Sequence, residues 1–432
     1  MFCLIALRRN SVTIKTKYRE ISDDFSFDEE STKVRSFNPS EYESKEIASQ
    51  LPMTWHKAKD FNVFDENGNK WIDLTSGIFA MNVGHSNPLV NDAIKKQLDS
   101  DLVFSFLYPT EIRKEFAKKL LDISPEHFEK MVILNTGSEA TDIAYKIIKR
   151  WAEKNDKKYI ISFEGSYHGR VLSSDLVGGT KDSSEWSNVV DSDVLFMKFP
   201  YEEDVQFDSS ELPAPDQIAA FFLETYQGWG AWMYPDKYIN DLYAFAKKHN
   251  ILICFDEIQA GFYRMGELYG YQTYGEHIKP DIICLAKALS APMPMSVVLS
   301  TSELIDDTSR LGGTHAGNPL CCAASMANIE VMTEEKFQRE LKEKCNVFEK
   351  RLKSLEEYSV IKTVNVRGMI AGLIFNNAED ANKVVVGCVH NGVMPVNTWS
   401  VSIKIGPPLT INLDALNEAL DVIEDSVRRI SE

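Results

Sequence analysis

The sequence predicts an α/β protein, with a largely parallel sheet in one large domain and a smaller α+β domain after it. Three observations carry that expectation. Between about residues 110 and 300, short apolar runs of strand length alternate with stretches of helical period, the pattern of a parallel sheet covered on both faces. An Asn67-Gly68 step between two apolar runs signals a hairpin. Beyond Pro319 helices and alternating strands follow in a different order.

In chain order, residues 1–45 are polar and unpatterned, as in an N-terminal arm. Phe61 to Phe64 and Lys70 to Leu74 then flank Asp65-Glu-Asn-Gly-Asn69, where the turn requires positive φ. Seven buried strands are expected, at Met131 to Leu134, Tyr159 to Phe163, Val194 to Phe199, Ile218 to Leu223, Ile251 to Phe255, Ile282 to Leu285 and Ser296 to Leu299. Behind Gly137, the residues Ala140, Ile143, Ala144, Ile147, Ile148 and Trp151 recur at helical spacing, a stripe that packs a core. Helices near 319–332 and 335–356, strands near 361–366, 369–375, 393–397 and 401–405, and helices near 379–390 and 413–430 complete the second domain, which the hairpin is expected to join.

Composition excludes several classes of partner. The chain has 432 residues with 47 Lys and Arg against 64 Asp and Glu, a net charge of −17 that repels nucleic acid and anionic lipid alike. No run reaches the roughly eighteen apolar residues of a membrane helix. The seven cysteines form no C-x-x-C pair and the histidines no H-x-x-x-H pair, so the expectation is reduced thiols, no metal and a cytoplasmic protein.

Chemistry gathers at the carboxyl ends of the expected strands, where open α/β sheets bind ligands. The first strand runs through Asn135-Thr-Gly-Ser-Glu139 into the striped helix, either an anion site for a phosphate or an ordinary helix capped by Ser138. Later ends deliver Tyr167, His168 and Arg170, then Glu224 followed by Trp229, then Asp256, whose buried carboxylate requires a partner. Lys287 follows the sixth strand between apolar neighbours. A desolvated lysine there is a nucleophilic amine able to form a Schiff base, unless it merely snorkels to solvent. A phosphate cradle, an aromatic face, a buried Asp and such an amine match what pyridoxal 5'-phosphate requires.

These residues resemble the class III pyridoxal-phosphate-dependent aminotransferases of the ornithine and 4-aminobutyrate aminotransferase type. The resemblance runs from about residue 50 through Asp73-Leu-Thr-Ser-Gly77 with Gly84-His85, Asn135-Thr-Gly-Ser-Glu-Ala140, Tyr167-His-Gly-Arg170 and Asp256-Glu-Ile-Gln259. It continues through Lys279-Pro-Asp281, Lys287, Gly313-Thr314 with Gly317-Asn-Pro-Leu320, and Pro407-Pro-Leu409.

The resemblance implies the aspartate-aminotransferase-like fold of type I, with a seven-stranded sheet in the large domain, and a homodimer with shared active sites. Residues 46–85 would serve the small domain and the interface, 86–318 the cofactor domain and 319–432 the C-terminal small domain. Lys287 would bind the cofactor covalently and shuttle the proton, and Asp256 would pair with the pyridine nitrogen. Gln259 would donate to the phenolic oxygen and Tyr167 would stack on the ring. Gly137 and Ser138 would hold the phosphate with Thr314 of the second subunit, and His168 and Glu224 complete the cofactor-binding set.

Two departures bear on the substrate. Family members that bind amino-acid carboxylates commonly carry an arginine shortly before Pro-Pro-Leu, and a glutamate after Gln-Gly that can hold it aside. Here Lys404 and Trp229 stand at those positions. Lysine lacks the planar fork that grips a carboxylate. The expected substrate is therefore a terminal amine, ω-amino compound or amino sugar packed against Trp229, with Arg170 available for a donor such as glutamate. Aminomutase, epimerase or decarboxylase chemistry is the alternative within the family. A nucleotide site is disfavoured, because neither phosphate-loop glycine pattern is present.

Overall fold

Parallel strands buried on both faces dictate the centre of the molecule. In the computed structural model, which describes residues 13–23, 25, 42, 53–106, 108–180 and 189–432, all seven expected strands are found in one sheet. Its order is Lys130–Leu134, Ser296–Ser300, Ile282–Leu285, Leu252–Asp256, Ile218–Glu224, Tyr159–Phe163 and Val194–Met197. Only Ser296–Ser300 runs antiparallel to its neighbours.

Successive residues of a strand point to opposite faces, so Phe221, Ile253 and Phe255 join the larger core while Phe222, Cys254 and Cys284 join a second one. The second core lies under the helix Gly137–Lys154, whose buried residues include the expected Ala140, Ile143, Ala144, Ile147 and Ile148. Register then does the positioning. Asp256 is paired with Glu224 on one side and Cys284 on the other, so the polar strand ends lie level.

The second domain holds a four-stranded antiparallel sheet in the order Ile361–Arg367, Ile370–Phe375, Ser402–Ile405, Val396–Asn397, packed against the helices Ala378–His390 and Glu335–Lys353, with Leu413–Ser431 packed on both helices. The expected single strand at 393–397 is two: Pro395 lacks the N–H a ladder requires, and Val393–Met394 pairs instead with Lys70–Asp73. That pairing attaches the N-terminal hairpin to the C-terminal part of the chain. The hairpin turn is organised by Asp65, whose Oδ1 accepts from the Asn67 and Asn69 amides at 2.9 Å, and positive φ is needed at Gly68 alone.

Part of the expected arm is not free. Ile14–Lys15 and Glu20–Ile21 form a small hairpin on Lys70–Asp73, with Ile21 fully buried; most of the remainder of 1–45 lies outside the described residues. The helix Pro319–Thr333 is buried on nearly all sides and packs against the helices Pro88–Leu98 and Glu111–Ile123, which precede the large sheet. Among the described residues no helix is long and apolar enough to cross a membrane, and no cluster of His, Cys, Asp and Glu is arranged to hold a metal ion.

Candidate active site

The strand ends border a cavity of about 650 Å³, and Gly137, Ser138, Tyr167, His168, Glu224, Asp256, Gln259 and Lys287 all line it. At one end the helix Gly137–Lys154 begins. Its cap is Thr136, not Ser138: the Glu139 amide donates to Thr136 Oγ1 at 3.2 Å and the Glu139 carboxylate takes the Thr136 amide at 2.8 Å, a reciprocal capping box. Ser138 is thereby left inside the first turn, where the amides of Gly137 and Ser138 have no intrahelical acceptor. Space is tight. A Cβ at Gly137 would stand 3.0 Å from Ile258 Cδ1, so glycine lets the backbone face the cavity directly. Ser138 Oγ accepts the Arg170 amide at 3.1 Å, tying the loop after Tyr159–Phe163 to this turn.

Asp256 is the centre of the opposite wall. Its Oδ2 lies 2.9 Å from His168 Nδ1 and its Oδ1 accepts the Ile258 amide at 3.0 Å. Neighbouring Glu224 accepts the amides of Tyr167 and Gly228, each at 3.1 Å. Burial, reinforced by repulsion from Asp256, pushes its carboxyl up to about 7 even though His168 and both amides oppose the shift.

Lys287 follows the sheet on a single turn with φ of 42°. Its amine has no hydrogen-bond or ion-pair partner among the described residues. Burial lowers its pKa, and only the charges of Asp256 and Glu224 pull the other way. An amine so placed is poised for nucleophilic chemistry.

Sequence reasoning placed Tyr226 at the strand end after Glu224 but gave it no role; it lines the cavity and donates to Gln259 Oε1 at 3.0 Å. It also assigned no role to Asp73 and His85, a buried pair 2.7 Å apart with His85 on the wall. Arg264 escaped notice because nothing near it in sequence marks it. Its guanidinium is fully buried and committed to the carbonyls of Met369 and Pro407 and to Asn82.

Four expected residues lie off this wall. Thr314 is exposed and lines a separate cavity of about 340 Å³ with Arg113 and Arg310. Arg170 is exposed. Trp229 sits in an aromatic cluster with Tyr201 and Trp232, and its Nε1 donates to Gln227 Oε1 at 2.6 Å. Lys404 is 8% exposed, 5.0 Å from the centre of the Phe79 ring, and has no anionic partner among the described residues. Burial, aided by the charge of Lys287, pushes its ammonium down to about 8.

The residues present suit pyridoxal phosphate: open amides for a phosphate, a carboxylate for a pyridine nitrogen, an unpaired amine, and a half-exposed Tyr167 ring between them. Comparison with known proteins agrees. Residues 44–427 match the model of the class-III aminotransferases. The chain is 30% identical over 396 residues to the acetylornithine aminotransferase of Methanocaldococcus jannaschii, covering 89% of this chain and 96% of that one. It is 31% identical over 407 residues to the ornithine aminotransferase of Saccharomyces cerevisiae, with the same coverage.

Among solved structures, the ornithine aminotransferase of Toxoplasma gondii, with PLP at partial occupancy in its active site, superposes with a TM-score of 0.82 at 25% identity over 91% of this chain and 93% of that one. A transaminase from the marine bacterium Virgibacillus gives a TM-score of 0.83 at 23% identity over 93% and 98%, a likeness of fold. The chain belongs to the class III aminotransferases and is a transaminase that works with pyridoxal phosphate.

Proposed function

We propose that this transaminase acts on substrates whose reacting amine is terminal, that is, remote from any carboxylate, and passes the amino group to an oxo acid or aldehyde as a cytoplasmic homodimer. The observation that carries the reading is the wall around the Lys287 amine. Ile258, Ala260, Ala291, Pro292, Met293 and Met295 supply apolar surface suited to a methylene chain, and no arginine lines the cavity among the described residues. A carboxylate beside the reacting carbon has no guanidinium fork there. The ornithine and acetylornithine aminotransferases named above support the same class, since each named substrate carries a side-chain amine and acetylornithine has no other free one.

When bound, pyridoxal phosphate supplies a carbonyl that takes up the amino group and a ring that accepts electrons from the substrate carbon. The chain's own residues do the remainder. Lys287 Nζ would carry the proton between the substrate carbon and the cofactor carbon. Asp256, braced by His168, holds positive charge at the ring nitrogen. Gln259 would donate to the phenolic oxygen, and Glu224, which accepts the Tyr167 amide, would hold Tyr167 at the ring. The Gly137 and Ser138 amides would hold the phosphate, joined by Thr314 from a second copy. Exposed Leu102, Val103, Phe104, Phe106 and Tyr108 provide the apolar face such a pairing covers.

A second reading is favoured by Lys404, a buried ammonium without an anion among the described residues: the substrate's far carboxylate, or that of an α-amino acid, pairs with it. Single-turnover absorbance of the holoenzyme against diamines, ω-amino acids, amino sugars and ordinary α-amino acids separates the two. A clear preference for α-amino acids overturns the terminal-amine reading.

A further inference from the structure

Tyr226 opens a short hairpin, paired through Met233, immediately after the strand that carries Glu224. Its ring is 2% exposed and packs with Phe79 and Ala260 and with Ile370 and Val396 of the small-domain sheet. Both domains therefore fix the ring, and the phenol can reach little else. Among the described residues its one hydrogen-bond partner is Gln259 Oε1, 3.0 Å away.

Donor and acceptor roles follow from the groups themselves. A phenol has one proton to give, and burial holds the Tyr226 hydroxyl well above its ordinary range, so it remains a donor. A reversed Gln259 amide would set N–H against the phenol and leave a buried O–H without an acceptor, which is the costly arrangement. The oxygen of the amide is thus held by Tyr226, and both hydrogens of Nε2 are left to the cavity that Gln259 lines.

We propose that Tyr226 is a positioning residue for transamination: its phenol locks the orientation of the Gln259 amide so that Nε2 donates to the phenolic oxygen of the bound cofactor. This rests on the placement of Gln259 at that oxygen given above. Nothing in the motif Asp256-Glu-Ile-Gln259 specifies which way the amide points; the tyrosine two residues after Glu224 does. A donor on the phenolic oxygen draws on its lone pairs and weakens the hold of that oxygen on the neighbouring proton. Loss of the donor therefore raises the pH at which the bound chromophore deprotonates.

The test is a pH titration of the visible absorbance of the holoenzyme. Tyr226→Phe keeps the packed ring and removes only the hydroxyl; Tyr226→Met serves if that variant does not accumulate. The midpoint should rise by about half to one pH unit, the equivalent of one ordinary hydrogen bond. Gln259→Leu should raise it at least as far, and the double variant should match Gln259→Leu alone, because Tyr226 acts only through Gln259. A shift in Gln259→Leu with none in Tyr226→Phe overturns the positioning role and leaves Gln259 where it was placed. No shift in either variant shows that Gln259 does not touch the chromophore, and the proposal falls with that placement.

Discussion

His168 Nδ1 and Asp256 Oδ2 lie 2.9 Å apart with the imidazole wholly hidden and the carboxylate nearly so. A buried carboxylate requires polar partners, and here the His168 ring nitrogen and the Ile258 amide supply them. Each remaining lone pair on Asp256 is available to the cofactor's pyridine nitrogen. Asp256→Asn should retain the fold and slow the proton-transfer step by roughly two or more orders of magnitude, as for other preorganised electrostatic contacts. Stopped-flow half-reactions measure that step; near-parent rates would remove Asp256 from the mechanism.

The covalent attachment point is checked chemically. Lys287 lines the cavity with an amine that has no partner among the described residues, and burial depresses it against the charges of Asp256 and Glu224. Borohydride reduction of the holoenzyme followed by peptide mapping should place the pyridoxyl group on Lys287. An adduct on any other lysine dismantles the site as drawn.

Gly169 tests the phosphate end. Its φ is +132°, and a Cβ there would stand 2.9 Å from Ser138 Cβ and 3.0 Å from Ser138 Cα, closer still to Ser138 Oγ. Gly169→Ala therefore has to push the first turn of the helix away from the loop. Cofactor affinity should fall at least about tenfold, the equivalent of 1.4 kcal/mol, a modest strain for one residue in a disfavoured backbone region. Equilibrium dialysis of pyridoxal phosphate provides the number, and unchanged affinity would show that Ser138 is not fixed by this contact.

The seven strands were legible because parallel strands buried on both faces read as unbroken apolar runs, and the polar residues at their ends were legible for the same reason. Contacts made by tertiary packing were not. Strands of two residues, such as Ile14–Lys15, have no periodicity to read. The cap at Thr136 was readable, since Thr136 stands three residues before Glu139 in the capping-box pattern. Arg264 and Tyr226 gain their meaning from partners far along the chain, at Met369 and Pro407 for one and at Ile370 and Val396 for the other.

Glu257 gives a pH prediction distinct from catalysis. It accepts from Thr225 Oγ1 at 2.6 Å and from the Gly270 and Tyr271 amides at 2.7 Å, yet burial still raises its carboxyl from 4.5 to about 7. The folded state thus holds a proton that the unfolded chain releases above pH 4.5, so the stabilising contribution is complete below that value and is lost as pH rises toward 7. Glu224 acts in the same direction. Thermal melts from pH 4.5 to 7.5 should show Glu257→Gln less stable at the acid end but with a shallower decline than the parent. Parallel curves would show that Glu257 does not titrate in this window.

Trp229 and Lys404, proposed above to bear on substrate choice, are tied through one strand: the Trp229 carbonyl accepts from Ser402 Oγ at 2.7 Å, and Ser402 lies on the strand that carries Lys404. The indole is set in the Tyr201 and Trp232 cluster, off the cavity wall, so its removal should loosen the hairpin that carries Tyr226 and Gln227 more than it opens the catalytic floor. Trp229→Ala should therefore lower kcat/KM for diamines, ω-amino acids and ordinary α-amino acids alike. Lys404 differs in kind. It is a buried charge without a counter-ion among the described residues, and an anion that reaches it is stabilised there. Lys404→Ala should spare diamines, which carry no carboxylate, and weaken ω-amino acids, raising their KM by about tenfold for the loss of one charge-assisted contact. A parent enzyme that prefers α-amino acids and loses them in Lys404→Ala would instead place the carboxylate beside the reacting carbon, and the terminal-amine reading would have to be given up.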